Sequence, residues 1–325
     1  MTTIKDVARL AGVGVGTASR VLSGNGSSSA AARKAVEAAA AELRFVANGP
    51  ARSLRRSRTD VLGLLISDIR NPFFADLAPG AERVAREAGY TVLLANADED
   101  PVQEQRSLAA FASQRVDGML IAPQGHDSRA LAELISSERP VVFVDRTIDG
   151  LDVPSITSDN EGGVRSAVEH LAGRGHRSIA YISGPSSVST SAERLAAFRR
   201  ACADLDLELD ERLVAAGDYR TSSGEAALAS ILDTGLRPTA LLAADGLMTL
   251  GALREAQRRG GGVLDVVSFD DAPWFAHVQP PVSAVVNDAD EIGRRGVRAL
   301  LALIAGDEVE SSRVPTRFVA RGASS

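Results

Sequence analysis

Polar and aromatic side chains recur directly after the short apolar runs of the chain. Carboxylates accept hydrogen bonds from hydroxyl groups, guanidinium groups donate them, and aromatic rings cover the apolar face of a sugar. These segments therefore predict binding of a hydroxyl-rich ligand. They are Asp68 to Phe74, Asp145–Arg146, Asp159–Asn160, Ser187 to Arg194, Asp218–Tyr219, Asp245, and Asp270 to Phe275.

Carboxylates that line a sugar-sized cleft also describe a glycosidase, so a sugar-processing enzyme is an alternative. Such an enzyme needs two carboxyl groups at a defined separation, which a sequence does not give. The sequence contains no P-loop, nucleophile elbow or metal-ligand spacing. Its four histidines are scattered and Cys202 is its single cysteine, so we expect no metal and no cofactor.

Alternating apolar runs and amphipathic stretches between residues 61 and 325 predict α/β lobes with parallel sheets. Nine strands are too many for one small sheet and suit two doubly wound lobes, whose ligands bind beyond the carboxyl ends of the strands. The predicted strands are 61–67, 91–96, 116–122, 140–145, 178–183, 213–217, 240–244, 265–269 and 282–286. The predicted helices include 74–88, 103–114, 162–174, 191–205 and 222–233.

The charge of the chain is unevenly distributed along its 325 residues. The net charge is −6, but residues 1–60 hold ten basic and four acidic residues, +6, which leaves −12 for the rest. A basic segment on an acidic body is typical of a nucleic-acid-binding protein. The chain has no apolar run of membrane-spanning length and its first residues do not resemble a signal peptide, so we expect a cytoplasmic protein.

The first 45 residues predict three helices, over 4–11, 15–22 and 30–43. Thr3 with Asp6 forms a capping-box pattern, and Ser29 precedes the third helix as an N-cap. Two short helices joined by a glycine turn are the helix-turn-helix pattern, whose second helix enters the major groove. The glycines at 12, 14 and 16 also resemble a dinucleotide-binding loop, but that loop must follow a strand.

Several motifs in the right order resemble the LacI family of bacterial transcriptional regulators. TIKDVARLAGVGVGTASRVLSG resembles the family's N-terminus and NGPARSL its hinge. The likeness continues through GLLISDIRNPFFADLAPGAERVAREAGYTVLLANADEDPVQE, RVDGMLIAP, VVFVDR, EHLAGRGHRSIAYISGP and VVSFDDAPW. It covers essentially the whole chain.

The resemblance implies which residues contact DNA. Val15, Gly16 and Arg20 match positions that contact base edges, and Thr17 and Ser19 match positions that contact phosphates. Arg20 is the strongest candidate for a bidentate contact to guanine, with a phosphate contact as the alternative. In a hinge over about 48–57, Asn48, Arg52 and Leu54 are further candidates. Leu54 resembles the apolar wedge that opens a central step of the minor groove.

The resemblance also implies the type I periplasmic-binding-protein fold for residues 61–325, with a DNA-binding domain over 1–60. Lobe 1 would comprise about 61–158 and 289–312, and lobe 2 about 159–287 and 313–325. The chain would cross between them near 158–160, 287–290 and 312–316. By family position the effector contacts are Phe73, Phe74, Asp159, Thr190, Arg194, Tyr219 and Asp270.

Three further residues join this candidate site. Trp274 is a possible stacking surface, Arg146 an additional donor, and Asp245 an acceptor where the family commonly has Asn. Five of the ten candidates also have a structural interpretation. Asp159 and Asp270 could cap helices, Phe73 and Phe74 could pack a lobe, and Trp274 could belong to the core.

Together these features predict a repressor that binds a pseudopalindromic operator as a homodimer and responds to a sugar or sugar derivative. Val188 stands where purine-responsive members carry Arg, which argues against a purine effector. A periplasmic-type sugar-binding protein would share the body of the chain, but it would not carry the basic helix-turn-helix segment.

Overall fold

The computed structural model describes residues 2–22, 28–45, 58–125, 129–136, 139–260 and 264–321. The chain forms two compact units, Met1–Asp60 and Val61–Ser325. Among the described residues, no helix combines the length and the apolar character that a membrane span requires.

The N-terminal unit contains three helices packed around a small apolar core. They are α1 (Ile4–Leu10), α2 (Val15–Leu22) and α3 (Ala30–Glu42), which confirms the three predicted helices to within a residue. The backbone N–H of Thr3 donates to the Asp6 carboxylate at 2.9 Å, and the Ser29 hydroxyl accepts from the N–H of Ala32 at 3.2 Å. The core consists of Val7, Ala8, Ala18, Val36 and Ala39.

Lobe 1 of the second unit is a parallel sheet in the order β11-β5-β4-β3-β1-β2. Its strands are β1 (Val61–Ile66), β2 (Thr91–Asn96), β3 (Gly118–Ile121), β4 (Val141–Val144), β5 (Ser155–Ser158) and β11 (Ser312–Val314). Its helices are α4 (Pro72–Glu87), α5 (Pro101–Gln114), α6 (Arg129–Ser136) and α11 (Ala289–Ala305). Leu64 and Leu65 of β1 belong to different core clusters, so the centre of the sheet is buried on both faces and β1 is an almost entirely apolar run.

Lobe 2 repeats this architecture in the order β12-β10-β9-β8-β6-β7. Its strands are β6 (Ile179–Ser183), β7 (Val214–Ala216), β8 (Ala240–Ala243), β9 (Asp265–Phe269), β10 (Ser283–Val286) and β12 (Arg317–Val319). Its helices are α7 (Asn160–Gly173), α8 (Ser189–Asp204), α9 (Thr221–Asp233) and α10 (Gly246–Arg258). Only the pairing of β10 with β12 is antiparallel among the pairings described for this sheet.

The two-lobed α/β fold is confirmed, and three strands are additions to the prediction. β5, β11 and β12 are three or four residues long, and β5 has the mostly polar sequence SITS. Such short strands carry no apolar run, so only their pairing partners define them. The chain passes from lobe 1 to lobe 2 after β5, returns after β10 and passes again between β11 and β12.

In each lobe, two helices that begin near the same edge of the sheet cross through paired glycines. In lobe 2 a Cβ on Gly224 of α9 would lie 2.1 Å from the carbonyl oxygen of Met248, and one on Gly251 of α10 would lie 1.9 Å from that of Thr221. In lobe 1, Gly80 of α4 and Gly293 of α11 meet backbone oxygens in the same way, at 2.4 and 2.3 Å. The obstructing atoms are backbone, so neither crossing can accommodate a methyl group without separating the helices.

We expect Gly251→Ala to lower the free energy of unfolding by about 1–3 kcal/mol, as overpacking does in well-packed cores. Chemical denaturation of the full chain measures this. The control is Gly173→Ala at the end of α7, where nothing lies within 4 Å of the added methyl. This control should be neutral or slightly stabilising. Equal stabilities for the two variants would show that α9 and α10 are not packed this closely.

Candidate effector site and DNA-binding helix

A small cavity lies between the two lobes, at the carboxyl ends of both sheets. Each lobe contributes five lining residues. Lobe 1 contributes Asn71, Phe73, Phe74, Asp145 and Arg146, and lobe 2 contributes Thr190, Arg194, Tyr219, Asp245 and Asp270. The space between them is about 10 Å³, close to the minimum that one water molecule needs. A ligand larger than a water molecule would therefore fit here only if the lobes moved apart.

Arg146 follows β4 and is held by a carboxylate of its own lobe. Its guanidinium donates to both oxygens of Glu99, at 2.7 and 2.8 Å, and to the Gln124 side chain at 3.3 Å. It also lies 5.1 Å from the centre of the Tyr219 ring in the opposite lobe, within cation–π range. Arg146 is therefore fixed on one side while it contacts the other lobe.

Arg194 lies on α8 and is buried at the floor of lobe 2. Its Nε donates to Asn160 at 2.8 Å and its Nη1 to the carbonyl oxygen of Ala244 at 2.7 Å. The guanidinium carbon lies 3.8 Å from the centre of the Phe269 ring. These contacts fix the plane of the guanidinium, so its charge is pre-organised beside Asp270.

Asp245 caps α10 and also reaches the other lobe. One carboxylate oxygen accepts from the backbone N–H of Met248 at 2.7 Å, and the other accepts from Nδ2 of Asn71 at 3.1 Å. Burial raises the pKa of Asp245 to about 8, and the nearby charge of Asp270 adds to this shift. Asp245 is therefore a buried acid that bonds both its own helix and the opposite lobe.

Asp145, Tyr219 and Asp270 have left-handed backbone conformations, with φ of 63°, 64° and 71°. Such conformations are unfavourable for residues with a Cβ and tend to occur where function requires them.

The Tyr219 ring lies against Gly184, where a Cβ would be 2.2 Å from the ring. Asn287 donates to Asp270 at 2.6 Å.

Two more contacts join the lobes around the cavity. The backbone N–H of Thr147 in lobe 1 donates to the Ser189 hydroxyl at the start of α8, at 2.9 Å. Nη2 of Arg220 in lobe 2 donates to the carbonyl oxygen of Asp98 at 2.7 Å. With the bond between Asn71 and Asp245, these contacts link the two lobes directly around the cavity.

Eight of the ten effector candidates line this cavity, and Asp159 and Trp274 are not among its lining residues. The Asp159 carboxylate accepts from the N–H of Gly162 at 3.0 Å, as the N-cap of α7. Trp274 is 37% exposed and packs edge-on against Phe275. Asn71 and Asp145 also line the cavity; both belong to the polar segments that predict ligand binding, but neither was named as an effector contact. Asn71 has the sequence signature of a helix cap, and its bond to Asp245 spans 174 positions.

The helix-turn-helix unit presents the predicted DNA-contacting face of α2. Val15 is 44% exposed, and no atom lies within 4 Å of the Cβ position at Gly16. Arg20 is exposed, with Nη2 donating to the Thr17 hydroxyl at 3.4 Å, while Ser19 is half-buried. Asn48, Arg52 and Leu54 lie outside the described residues.

A helix-turn-helix domain joined to a two-lobed binding domain defines a class of ligand-responsive regulators. Family comparison agrees with that class. Residues 3–48 match the bacterial regulatory proteins of the lacI family, and residues 59–321 match the periplasmic binding proteins and sugar-binding domain of the LacI family. The chain belongs to the LacI family of bacterial transcriptional regulators.

Two named relatives are similar in sequence to this chain over nearly the full length of both proteins. The HTH-type transcriptional regulator CelR of Thermobifida fusca is 35% identical, with 96% of this chain and 94% of that protein covered. The ribose operon repressor of Halalkalibacterium halodurans is 32% identical, with 99% and 96% covered. These relatives are DNA-binding regulators, so the chain is a transcriptional regulator and not an enzyme.

Two solved structures are similar over almost the whole chain. The structure of the transcriptional regulator CelR–cellobiose complex has a TM-score of 0.75 at 33% identity, covering 99% of each chain. The lac repressor dimer bound to operator and the anti-inducer ONPF has a TM-score of 0.87 at 28% identity, covering 98% of each chain.

Proposed function

We propose that the chain is a homodimeric cytoplasmic repressor whose affinity for a pseudopalindromic operator is controlled by a sugar-class effector bound between its lobes. The observation that carries this proposal is the cavity lined equally by both lobes. A ligand there contacts both lobes at once, so its binding free energy depends on their separation. Binding and lobe orientation are therefore coupled, and the coupling must be reciprocal.

The lining of the cavity supports a polyol ligand. Asp145 and Asp270 can accept hydrogen bonds and Arg194 can donate them. The hydroxyls of Thr190 and Tyr219 lie 3.4 Å apart, and each can act as a donor or as an acceptor. Phe73 and Phe74 form an edge-to-face pair beside them. Acceptors, donors and rings in one small cavity match the alternating hydroxyl and C–H faces of a sugar. The cellobiose complex of a relative supports the same class of ligand.

The effector contacts proposed for this cavity are its ten lining residues. For Asp159 the capping interaction supports a structural role, and for Trp274 its exposed position supports a role outside the cavity. On the DNA side we propose base contacts by Val15, Gly16 and Arg20 and phosphate contacts by Thr17 and Ser19. Asn48, Arg52 and Leu54 remain proposed contacts of the hinge.

Strand β2 supports self-association, because it is an edge strand with exposed leucines. Leu93 and Leu94 are 37% and 38% exposed, and β2 pairs with β1 on one side only in the described sheet. Exposed apolar edges promote association unless another surface covers them. We propose that a second copy of the chain covers this one, as a dimer that places two α2 helices on successive half-sites. The lac repressor dimer supports this arrangement.

The proposal is tested by selecting binding sites for the full chain from a randomised DNA duplex library. We expect a two-fold pseudosymmetric sequence, and an affinity that falls steeply with salt because each phosphate contact releases counterions. A selected sequence without symmetry would contradict the dimeric operator complex. A flat salt dependence would contradict DNA binding through the basic segment.

A further inference from the structure

The cavity between the lobes holds more negative charge than its own cations balance. Asp145, Asp245 and Asp270 are 6%, 0% and 7% exposed. Arg146 is committed to Glu99 through two short bonds, and these two side chains are only 4% and 8% exposed. This buried pair is neutral as a unit. Burial raises the pKa of Asp245 to about 8, so Asp245 is mostly neutral at pH 7.5 and Arg194 faces the charges of Asp145 and Asp270.

Asp145 is the carboxyl group that the protein itself satisfies least. Its side chain is 8% exposed and lines the cavity. Among the described residues no hydrogen bond to its carboxylate is found, and its nearest cationic atom is Nε of Arg146 at 3.5 Å. That Nε is itself buried without a hydrogen-bond partner. Asp245, in contrast, has a donor on each oxygen, and Asp270 has Asn287.

A buried carboxylate without donors is unfavourable, because removal from water is not compensated. Burial accordingly raises the pKa of Asp145 to about 6. Asp270 and Glu99 raise it as well, while Arg146 and Arg194 act in the opposite direction. A ligand that brings hydrogen-bond donors and a positive charge would supply what the site lacks, whereas an anionic ligand would add to the imbalance.

Given the proposed function of this cavity, we propose that its effector is a polyhydroxylated amine of the amino-sugar class, with its ammonium group paired to Asp145. The hydroxyls of this ligand would meet Asp270 and Arg194. The ammonium group provides several N–H donors and one positive charge, so it satisfies Asp145 in both respects. Sugar phosphates and sugar acids are disfavoured by the same charges.

Matched sugars that differ only in charge test this inference. Calorimetric titration of the full chain at pH 7.5 would use glucose, glucosamine, N-acetylglucosamine and glucose 6-phosphate, and the corresponding galactose and mannose series. We expect one amine to bind at least about tenfold more tightly than its neutral parent and its N-acetyl form, with the phosphate weakest. A neutral or phosphorylated sugar that binds as tightly as the amine, or more tightly, overturns the inference but leaves the sugar-responsive regulator intact. If no sugar binds in any charge state, both the inference and the proposed sugar effector fail.

Variants of Asp145 supply a second test. Asp145→Asn should reduce the preference for the amine over the neutral sugar to within about twofold. Asp152→Asn, which removes the same charge from an exposed position of the same lobe, should leave the preference unchanged. In the wild type, affinity for the amine should fall as pH decreases through about 6, because protonated Asp145 no longer pairs with it. A preference that persists in Asp145→Asn contradicts the pairing.

The unliganded chain gives a readout that needs no sugar. A raised pKa in the folded state means that ionisation of Asp145 destabilises the fold as pH rises from about 4 towards 6. Asp145→Asn should therefore raise the melting temperature at pH 7.5, and Asp152→Asn should not change it. A lower melting temperature for Asp145→Asn would mean that the protein already compensates this carboxylate, and would overturn the inference.

Discussion

Replacing Arg194 with Ala is expected to reduce effector affinity by about 100-fold or more. The guanidinium donates to Asn160 and to the carbonyl oxygen of Ala244, and its charge opposes that of Asp270. Truncating one partner of a hydrogen-bonded charge pair that is buried in a complex costs about 2–5 kcal/mol of binding free energy, because the ligand groups that it bonded are left buried without a partner. A tenfold change in affinity corresponds to about 1.4 kcal/mol, so the expected loss is large.

Calorimetric titration with the tightest-binding sugar measures this loss of affinity. Two further variants serve as controls for the role of the side chain. Arg194→Lys retains the charge but lacks the planar fork that bonds Asn160 and Ala244, so it should also lose most of the affinity. Arg200→Ala removes a 55% exposed arginine from the same helix and should leave effector affinity unchanged. Full affinity in Arg194→Ala would show that this side chain is a structural element of lobe 2 and not part of the effector site.

Replacing Arg20 with Ala is expected to weaken operator binding by about 1–3 kcal/mol for each α2 helix, and twice that for a dimer. A bidentate contact to guanine is lost in each half-site, so discrimination at that base pair should be lost as well. The measurement compares the affinity for the selected operator with that for an operator carrying a substituted base pair.

Two variants separate a base contact from a phosphate contact at this position. Arg20→Lys keeps the charge and would preserve a phosphate contact, but it changes the geometry of the guanine contact. Arg9→Ala removes a 79% exposed arginine from α1 that is not a predicted base contact, so it should leave the discrimination between the two operators unchanged. If Arg20→Ala weakens all sequences equally, Arg20 contacts phosphate and the base contact is refuted.

The fold was predictable where apolar runs fill whole strands. All four residues of β4 are buried, and a buried parallel strand needs such a run. β5 and β12 were not predictable, since a polar tetrapeptide and a three-residue edge strand are defined by their partners. The ends of the predicted helices lie within two residues of the observed ones, because caps such as Ser29 are local hydrogen bonds, but four predicted helices of the second unit begin two residues too late.

Most residues of the candidate site were predictable from residue type and family position, but the contacts between them were not. Asp159 and Asp245 both follow strands and both cap helices. Only three-dimensional structure shows that Asp245 also bonds Asn71 across the cavity while Asp159 does not line it. The isolation of Asp145 is equally invisible in sequence, because it depends on Glu99 occupying the neighbouring guanidinium of Arg146.

We propose that a ligand between the lobes controls operator affinity. It is tested most directly by measuring operator affinity of the wild type and Arg194→Ala, each with and without the sugar that binds the wild type most tightly. Allosteric coupling of about 1–3 kcal/mol predicts a 5- to 150-fold change on ligand addition in the wild type. In Arg194→Ala we expect no change and an unaltered ligand-free affinity. An operator affinity of the wild type that is the same with and without saturating ligand would contradict control of DNA binding from the cavity between the lobes.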